Sequence, residues 1–260
     1  MTTSHLEVEA KLVILSDAPE TIADEIARLE SLGGLQLRGA ESVTVHDLYF
    51  DTPDLQLESR RIALRMRSVQ SRQLLTLKGP GVTIGSTMQR EELEQDWSRE
   101  ALVTIQAELN ARGVGLVAPD PLLSESDPIG ALAGMGLAQM QDRQTNRRRR
   151  QIVRGMPGDE SEAELAIDRV MFRFGDRRVR HYEVEIELEA SGEVAMIENL
   201  ILSLRAHWPV LTVWQHSKYA TGKALEALLY HPDTAKEVGD GGDLPPTVYE
   251  KVELWLQQRS

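Results

Sequence analysis
The sequence predicts an α+β fold, an eight-stranded antiparallel β-barrel with helices packed outside it. Three observations point there. About eight short segments alternate ionisable and apolar residues, which is the two-residue period of an extended strand. Their connections are short, which favours antiparallel neighbours. The remaining stretches carry apolar residues at helical spacing, so helices can cover the apolar strand faces. In a closed antiparallel set every strand alternates inside and outside. With helices on the apolar side, the ionisable faces are left to the interior.

The strands are read in order. In His5–Lys11, Glu7, Glu9 and Lys11 alternate with Leu6, Val8 and Ala10. Taken alone, this segment reads first as an edge strand with a solvated face; the rest of the chain shifts that reading toward a polar face lining a cavity. A helix is expected over Asp17–Leu32, capped by Ser16 or Asp17 and ended by Gly33-Gly34. Val43–Phe50 follows as a strand, and Asp51-Thr52-Pro53-Asp54 is turn chemistry. Ile62–Arg67 puts Arg65 and Arg67 on one face. Leu74–Lys78 puts Thr76 and Lys78 together. Met88–Glu94 does the same for Arg90, Glu92 and Glu94.

Ser98–Arg112 reads as a helix capped by Ser98 and stopped by Gly113. A loop over Val114–Asp127 and a short helix from Asp127 to about Leu132 complete a helical insertion, residues 98–140. Strands are then expected over Gln141–Val153, Glu164–Phe174 and Tyr182–Glu189, and helices over Val194–Trp208 and up to Leu229. The four arginines Arg147 to Arg150 split in a strand, with Arg147 and Arg149 on one face and Arg148 and Arg150 on the other. The stretch Tyr182–Glu189 places Glu183, Glu185, Glu187 and Glu189 together, which is unfavourable unless cations or water neutralise them. Residues 231–246 read as a mobile Gly/Asp/Pro-rich segment before a short helix, Val248–Leu256, that docks through Val252, Trp255 and Leu256.

Composition narrows the function. The chain has 260 residues, a net charge of −12 and no cysteine. Disulfides and thiolate metal sites are excluded, and a reducing, cytoplasmic setting is expected. The acidic balance argues against nucleic-acid binding. No apolar run approaches a membrane span and no signal peptide is visible.

The proposed interior gathers Lys11, Arg65, Arg67, Lys78, Arg90, Arg147 or Arg149, and Lys218 with Glu7, Glu9, Glu92, Glu94, Asp168, Glu183, Glu185 and Glu187. Burying so many charges without a ligand would be prohibitive. A polyanion joined to the carboxylates by divalent cations satisfies both sets. Guanidinium forks and ammonium groups suit phosphate oxygens. Magnesium and manganese accept carboxylate and phosphate oxygens together. His46, His181 and His216 are isolated and read as packing rather than ligand histidines. Trp208 and Trp214 read as packing residues of the C-terminal helices.

At these positions the chain resembles the CYTH superfamily, the triphosphate tunnel metalloenzymes. The marks are the E-x-E-x-K of Glu7, Glu9 and Lys11, the Y-F-D-T-P of Tyr49–Pro53, the L-R-M-R of Leu64–Arg67 and the L-K of Leu77-Lys78. Arg90 with Glu92, then Asp168, the Glu183/Glu185/Glu187 ladder and Ser217-Lys218 complete an ordered set over residues 5–229. Around Arg147 the pattern departs from the family, which leaves the Arg147/Arg149 register open.

The resemblance implies an eight-stranded tunnel domain over residues 1–230, with 231–260 as a linker and short helix. It is similar above all to the bacterial inorganic triphosphatases. That implies a hydrolase splitting tripolyphosphate into pyrophosphate and phosphate with Mg2+ or Mn2+. Arg65, Arg67, Lys78, Arg90, Arg147 and Lys218 are implied to hold phosphate oxygens. Glu7, Glu9, Glu183 and Glu185 are implied to hold metal, with Glu92 and Asp168 as further ligands or arginine partners. Lys11 either contacts phosphate or orients the water, beside Glu7 and Glu9. A thiamine or nucleoside triphosphatase, a class IV adenylate cyclase and a non-catalytic polyphosphate-binding module are the other readings. The expected partner is a small polyanion, with no nucleic acid and no membrane; oligomeric state is not legible.

Overall fold
The computed structural model describes residues 3–120, 127–155, 159–238 and 242–259. Eleven strands alternate with eight helices among the described residues. The first half contains β1 (Thr3–Ile14), α1 (Pro19–Ala27), β2 (Ser31–Leu32), β3 (Leu35–Asp51), α2 (Gln56–Ser59) and β4 (Ala63–Val69). It continues with β5 (Arg72–Lys78), β6 (Val82–Ile84), β7 (Thr87–Asp96), α3 (Arg99–Ala111) and α4 (Pro128–Gly134). The second half contains β8 (Ala138–Val153), β9 (Ala163–Phe174), β10 (Arg177–Leu188), α5 (Val194–His207), β11 (Leu211–Val213), α6 (Lys218–Leu229), α7 (Pro232–Val238) and α8 (Pro246–Gln257).

The hydrogen-bonded order is β11-β1-β10-β9-β8-β3-β4-β5-β7-β6, and β1 also pairs with β7. Eight strands therefore follow one another in a closed order of pairing, the number the alternating segments predict. The other three, β2, β6 and β11, are two- or three-residue additions. The β1–β10, β10–β9, β3–β4, β4–β5 and β5–β7 pairs are antiparallel.

The chain divides into two compact units. One comprises Met1–Leu6, Val45–Val82 and Arg90–Arg143, the other Glu7–Thr44, Thr83–Gln89 and Gln144–Ser260. In the first, Leu64 and Met66 of β4 and Leu75 and Leu77 of β5 share a core with Leu102, Ile105 and Leu109 of α3 and Leu132 near the end of α4. Helices α3 and α4 are thus the apolar cover of these strands. Ser98 caps α3, its Oγ accepting the Ala101 N–H at 3.1 Å. Ser98→Ala is expected to lower stability by about 1 kcal/mol, read by urea denaturation.

In the second unit, Leu12, Ile167, Val184 and Ile186 form one apolar strand face covered by Ile26 of α1 and Ile197, Leu200, Ile201 and Leu204 of α5. A further core gathers Val13, Val170, Phe172 and Val179 under Trp214, α6, α7 and α8. By two-residue alternation these strand residues share a face with Lys11, Asp168 and Glu183. The C-terminal helices therefore cover one end of a face whose other part is charged. Helices were expected on the apolar strand faces alone, so this placement was not foreseen.

Several boundaries differ from expectation. Helix α1 ends at Ala27, not Leu32, because Gly33 and Gly34, at φ 58° and 84°, turn β2 back onto β3. The Arg150 guanidinium then donates to the carbonyls of Ala27 and Leu29, satisfying the helix end. Neither Ser16 nor Asp17 caps α1; its N-cap is Ala18, without a side-chain bond. Helix α2 was not expected. Buried Asp51 organises it, accepting the N–H groups of Thr52 at 2.7 Å, Leu57 at 2.8 Å and Glu58 at 2.9 Å.

Residues 232–238 form α7 rather than a mobile segment; part of that expected segment, 239–241, and part of the expected loop, 121–126, lie outside the described residues. Among the described residues no helix is long and apolar enough to cross a membrane.

Candidate active site
Each unit carries its own charged cluster on the ionisable strand faces. In the first unit, antiparallel register sets Tyr49 of β3, Arg65 of β4, Thr76 of β5 and Glu94 of β7 side by side. The adjoining rows place Asp47 opposite Arg67 and Lys78 opposite Glu92. Asp47 is buried and accepts two bonds from Arg67, at 2.8 and 3.0 Å, and one from Arg143 at 2.7 Å. The Nε of Arg65 lies 3.9 Å from it. Arg143 also donates to the Tyr49 hydroxyl at 2.9 Å. Arg65 donates to Thr76 at 3.1 Å and to Glu94 at 3.4 Å, and Lys78 pairs with Glu92 at 2.7 Å.

Burial alone would raise the Asp47 carboxyl, but Arg67, Arg65 and Arg143 hold it well below the usual range. Burial likewise opposes ionisation of Glu92, yet Lys78 and Arg65 bring it down to about 2, with help from Arg90. Among the described residues, Arg65, Arg67, Lys78, Arg90 and Arg143 gather here with Asp47, Glu92 and Glu94. So many guanidinium and ammonium groups in one place suit an anion.

In the second unit, β10 places Glu183 opposite Asp168 of β9, and Glu185 opposite both Ala166 of β9 and Lys11 of β1. One oxygen from each of Asp168, Glu183 and Glu185 can be chosen so that all lie within 4.8 Å of one another. Lys218, the first residue of α6, pairs with all three, at 3.1 Å from Asp168 and 2.6 Å from Glu185, with Glu183 also in contact. Ser217 caps that helix, its Oγ accepting the Ala220 N–H, which fixes where Lys218 leaves it.

Arg147 forks onto Asp168 at 2.8 and 2.7 Å and contacts Glu185. Burial disfavours an ionised Glu185, but Lys218, Arg147 and Lys11 hold its carboxyl well below the usual range. Burial also opposes the Lys218 ammonium; Glu183, Glu185 and Asp168 outweigh it and raise its pKa. The three buried carboxylates are hard oxygen donors of the kind Mg2+ or Mn2+ takes, so this cluster fits a divalent cation.

The other expected residues divide between the units. Glu9 and Lys11, both buried in β1, pair at 2.8 Å, and Glu7 is buried two residues earlier. Glu92 belongs to the first unit with Lys78. The carboxylates that converge, among the described residues, are Asp168, Glu183 and Glu185. The arginine register resolves with Arg147 on Asp168, while Arg149 contacts Glu41 and Glu164 and Arg148 contacts Asp24. His46 bonds Asp142 and His216 bonds Glu253, each at 2.8 Å. His181 is not isolated: it is buried against Glu183. Trp214 packs with Tyr249 of α8, whereas Trp208 packs in the other core and donates to Glu25 of α1.

A family model described as the CYTH domain matches residues 5–206. The chain belongs to the CYTH family. No curated protein matches it. Among solved structures it is similar to the putative adenylyl cyclase HpAC1 from Hippeastrum, described as having a dominant triphosphatase activity. The TM-score is 0.55 at 20% identity, covering 85% of this chain and 96% of that one. A putative adenylate cyclase from Bacillus halodurans gives 0.47 at 18%, covering 83% and 96%. An RNA triphosphatase from S. pombe gives 0.39 at 10%, covering 82% and 87%. At 20% identity the likeness to HpAC1 is one of fold. Family membership supports an enzyme of phosphoanhydride chemistry.

Four residues that build the clusters of this CYTH chain are absent from the sequence-based set: Asp47, Arg143, His181 and Tyr249. Arg143 had a usable signal, since it lies two steps of two residues before Arg147 and so shares its strand face. Asp47 precedes Tyr49 by two, again on one face. Tyr249 had none, because its partner lies 68 residues away in sequence.

Proposed function
We propose that the chain hydrolyses a linear inorganic triphosphate, tripolyphosphate, to pyrophosphate and phosphate with Mg2+ or Mn2+. The observation that carries this reading is the second unit's cluster, where three buried carboxylates converge beside Arg147 and Lys218. The first unit is separately cation-rich around Arg65, Arg67 and Lys78. Asp168, Glu183 and Glu185 would hold the metal, with Glu7 and Glu9 of β1 as further candidates. Arg65, Arg67, Lys78, Arg90, Arg147, Lys218 and Arg143 would hold phosphate oxygens, Arg143 being added by its burial beside Asp47.

When bound, a divalent cation would neutralise phosphate charge and lower the pKa of a water. Phosphoryl transfer depends mostly on positioning and electrostatics. The guanidinium groups fixed on Asp47 are pre-aimed donors for charge that builds on phosphate oxygens. Lys218 and Arg147 do the same beside the carboxylates. Lys11, paired with Glu9 and lying across from Glu185, would orient a water or contact phosphate. Water adds to the terminal phosphorus as its bridging P–O bond breaks. Pyrophosphate leaves and the water proton passes to solvent.

The test offers tripolyphosphate, ATP and thiamine triphosphate separately and identifies the products. Tripolyphosphate is expected to turn over fastest, giving one pyrophosphate per phosphate. Cyclic AMP and pyrophosphate from ATP would make the protein a cyclase. Tight tripolyphosphate binding without turnover would make it a binding module. Either result overturns the proposal.

A further inference from the structure
The C-terminal helix reaches the carboxylate cluster through one chain of hydrogen bonds. The His181 Nε2 lies 2.8 Å from Glu183 Oε2, and its Nδ1 lies 2.9 Å from the Tyr249 hydroxyl of α8. His181 and Glu183 are wholly buried, and Tyr249 is 3% exposed. An ionised carboxylate only accepts, so Nε2 carries the proton to Glu183. In the neutral ring, Nδ1 then accepts from the phenol O–H. The Tyr182 backbone also hydrogen-bonds Tyr249.

Both rings are held by further contacts. Tyr249 meets Trp214 edge-on, with centroids 5.8 Å apart and planes at 90°. Trp214 is itself fixed by its Nε1 bond to Thr221 of α6 at 2.9 Å. His181 also packs against Phe172, with centroids 6.2 Å apart. The consequence at Glu183 is specific. Its Oε2 is committed to His181, and its Oε1 is the oxygen turned toward Lys218 and the cluster.

We propose that Tyr249 is a positioning residue for the metal site: it fixes the His181 ring, which fixes the Glu183 carboxylate so that Oε1 is presented to the cation. The inference rests on the reading of Asp168, Glu183 and Glu185 as metal ligands. It gives α8 a functional role at the opposite end of the sequence from the E-x-E-x-K segment. Partners that orient a ligating side chain are typically worth about 10- to 100-fold in metal affinity or activity.

The experiment titrates Mn2+ into the full-length protein without substrate, by calorimetry and by the loss of the free-ion paramagnetic signal. Tyr249→Phe removes the O–H and keeps the ring. Val252→Ala on the same helix, buried in the same core, is the packing control. Tyr249→Phe is expected to weaken Mn2+ binding about tenfold, whereas Val252→Ala lowers the Tm and leaves Mn2+ affinity unchanged. Equal Mn2+ affinity in Tyr249→Phe and wild type overturns the inference. So does a loss in Val252→Ala as large as in Tyr249→Phe. Glu183→Gln separates the layers. If it binds Mn2+ as wild type does, the metal-site reading itself fails. If it loses binding while Tyr249→Phe keeps it, only the positioning role fails.

Discussion

Asp47→Ala is expected to destabilise the protein by about 3–5 kcal/mol, the range for breaking a buried ion pair from one side. The reason lies in what is left behind. Arg143, 1% exposed, loses its carboxylate and keeps only the Tyr49 hydroxyl among its assigned acceptors. Arg67 loses both of its bonds to Asp47, and Arg65 loses a compensating charge at 3.9 Å. The three guanidinium groups would then face one another without that carboxylate.

The exposed pair Arg72–Asp96, at 2.8 Å, is the contrast, and Asp96→Ala is expected to cost only about 0–1 kcal/mol. Urea denaturation at neutral pH checks both. Acid supplies a second signature. The Asp47 carboxyl titrates lower when folded than when unfolded, so in acid the unfolded chain binds more protons. Its contribution is present above about pH 4, the unfolded value, and is lost as pH falls through the folded one. Glu92, at about 2 when folded, has the same sign over the same window. The stability gap between wild type and Asp47→Ala should therefore narrow as the pH is taken down from about 4.

Glu185→Gln is expected to cost about 100-fold or more in kcat/KM for tripolyphosphate, some 3 kcal/mol of transition-state stabilisation. Glu185 sits where the unit's positive groups converge, touching Lys218 and Arg147 and lying opposite Lys11 of β1. The amide is nearly isosteric but loses the charge that suits a divalent cation. The variant also leaves Lys218 paired with Asp168 and Glu183, and Arg147 paired with Asp168. Arg149→Ala, at a side chain 36% exposed and paired with Glu41, should by comparison change kcat/KM less than about threefold. Steady-state assays on both variants, with melting temperatures to confirm folding, distinguish these outcomes.

The strand faces were legible because alternation is a local property. Each of Glu9, Lys11, Arg65, Lys78, Glu92 and Glu185 could be assigned to the ionisable face from its immediate neighbours. The number of main strands followed for the same reason. Which charge meets which was not legible, because pairing depends on register between distant segments. The sequence grouped the metal candidates Glu92 and Asp168 in one interior. Register supplies the neighbours: Glu92 lies opposite Lys78, and Asp168 lies opposite Glu183.

Asp47 was passed over because a single Asp in a β-branched strand looks like ordinary alternation until three arginines are found around it. The end of α1 was misread because Leu29 and Leu32 keep helical spacing, while Gly33-Gly34 turns the chain into a hairpin there. His181 was read as isolated because no histidine stands at ligand spacing from it. Its partner is a tyrosine on the last helix.

The central claim is metal-dependent hydrolysis at the cluster of Asp168, Glu183 and Glu185. The most direct measurement is phosphate release from tripolyphosphate by the wild-type protein, titrated with Mg2+ and Mn2+ and then with excess chelator, beside the double variant Glu183→Gln/Glu185→Gln. Saturable, metal-dependent release that chelator abolishes and the double variant lacks is the predicted result. Release that persists in chelator, or that the double variant performs at the wild-type rate, would contradict the account.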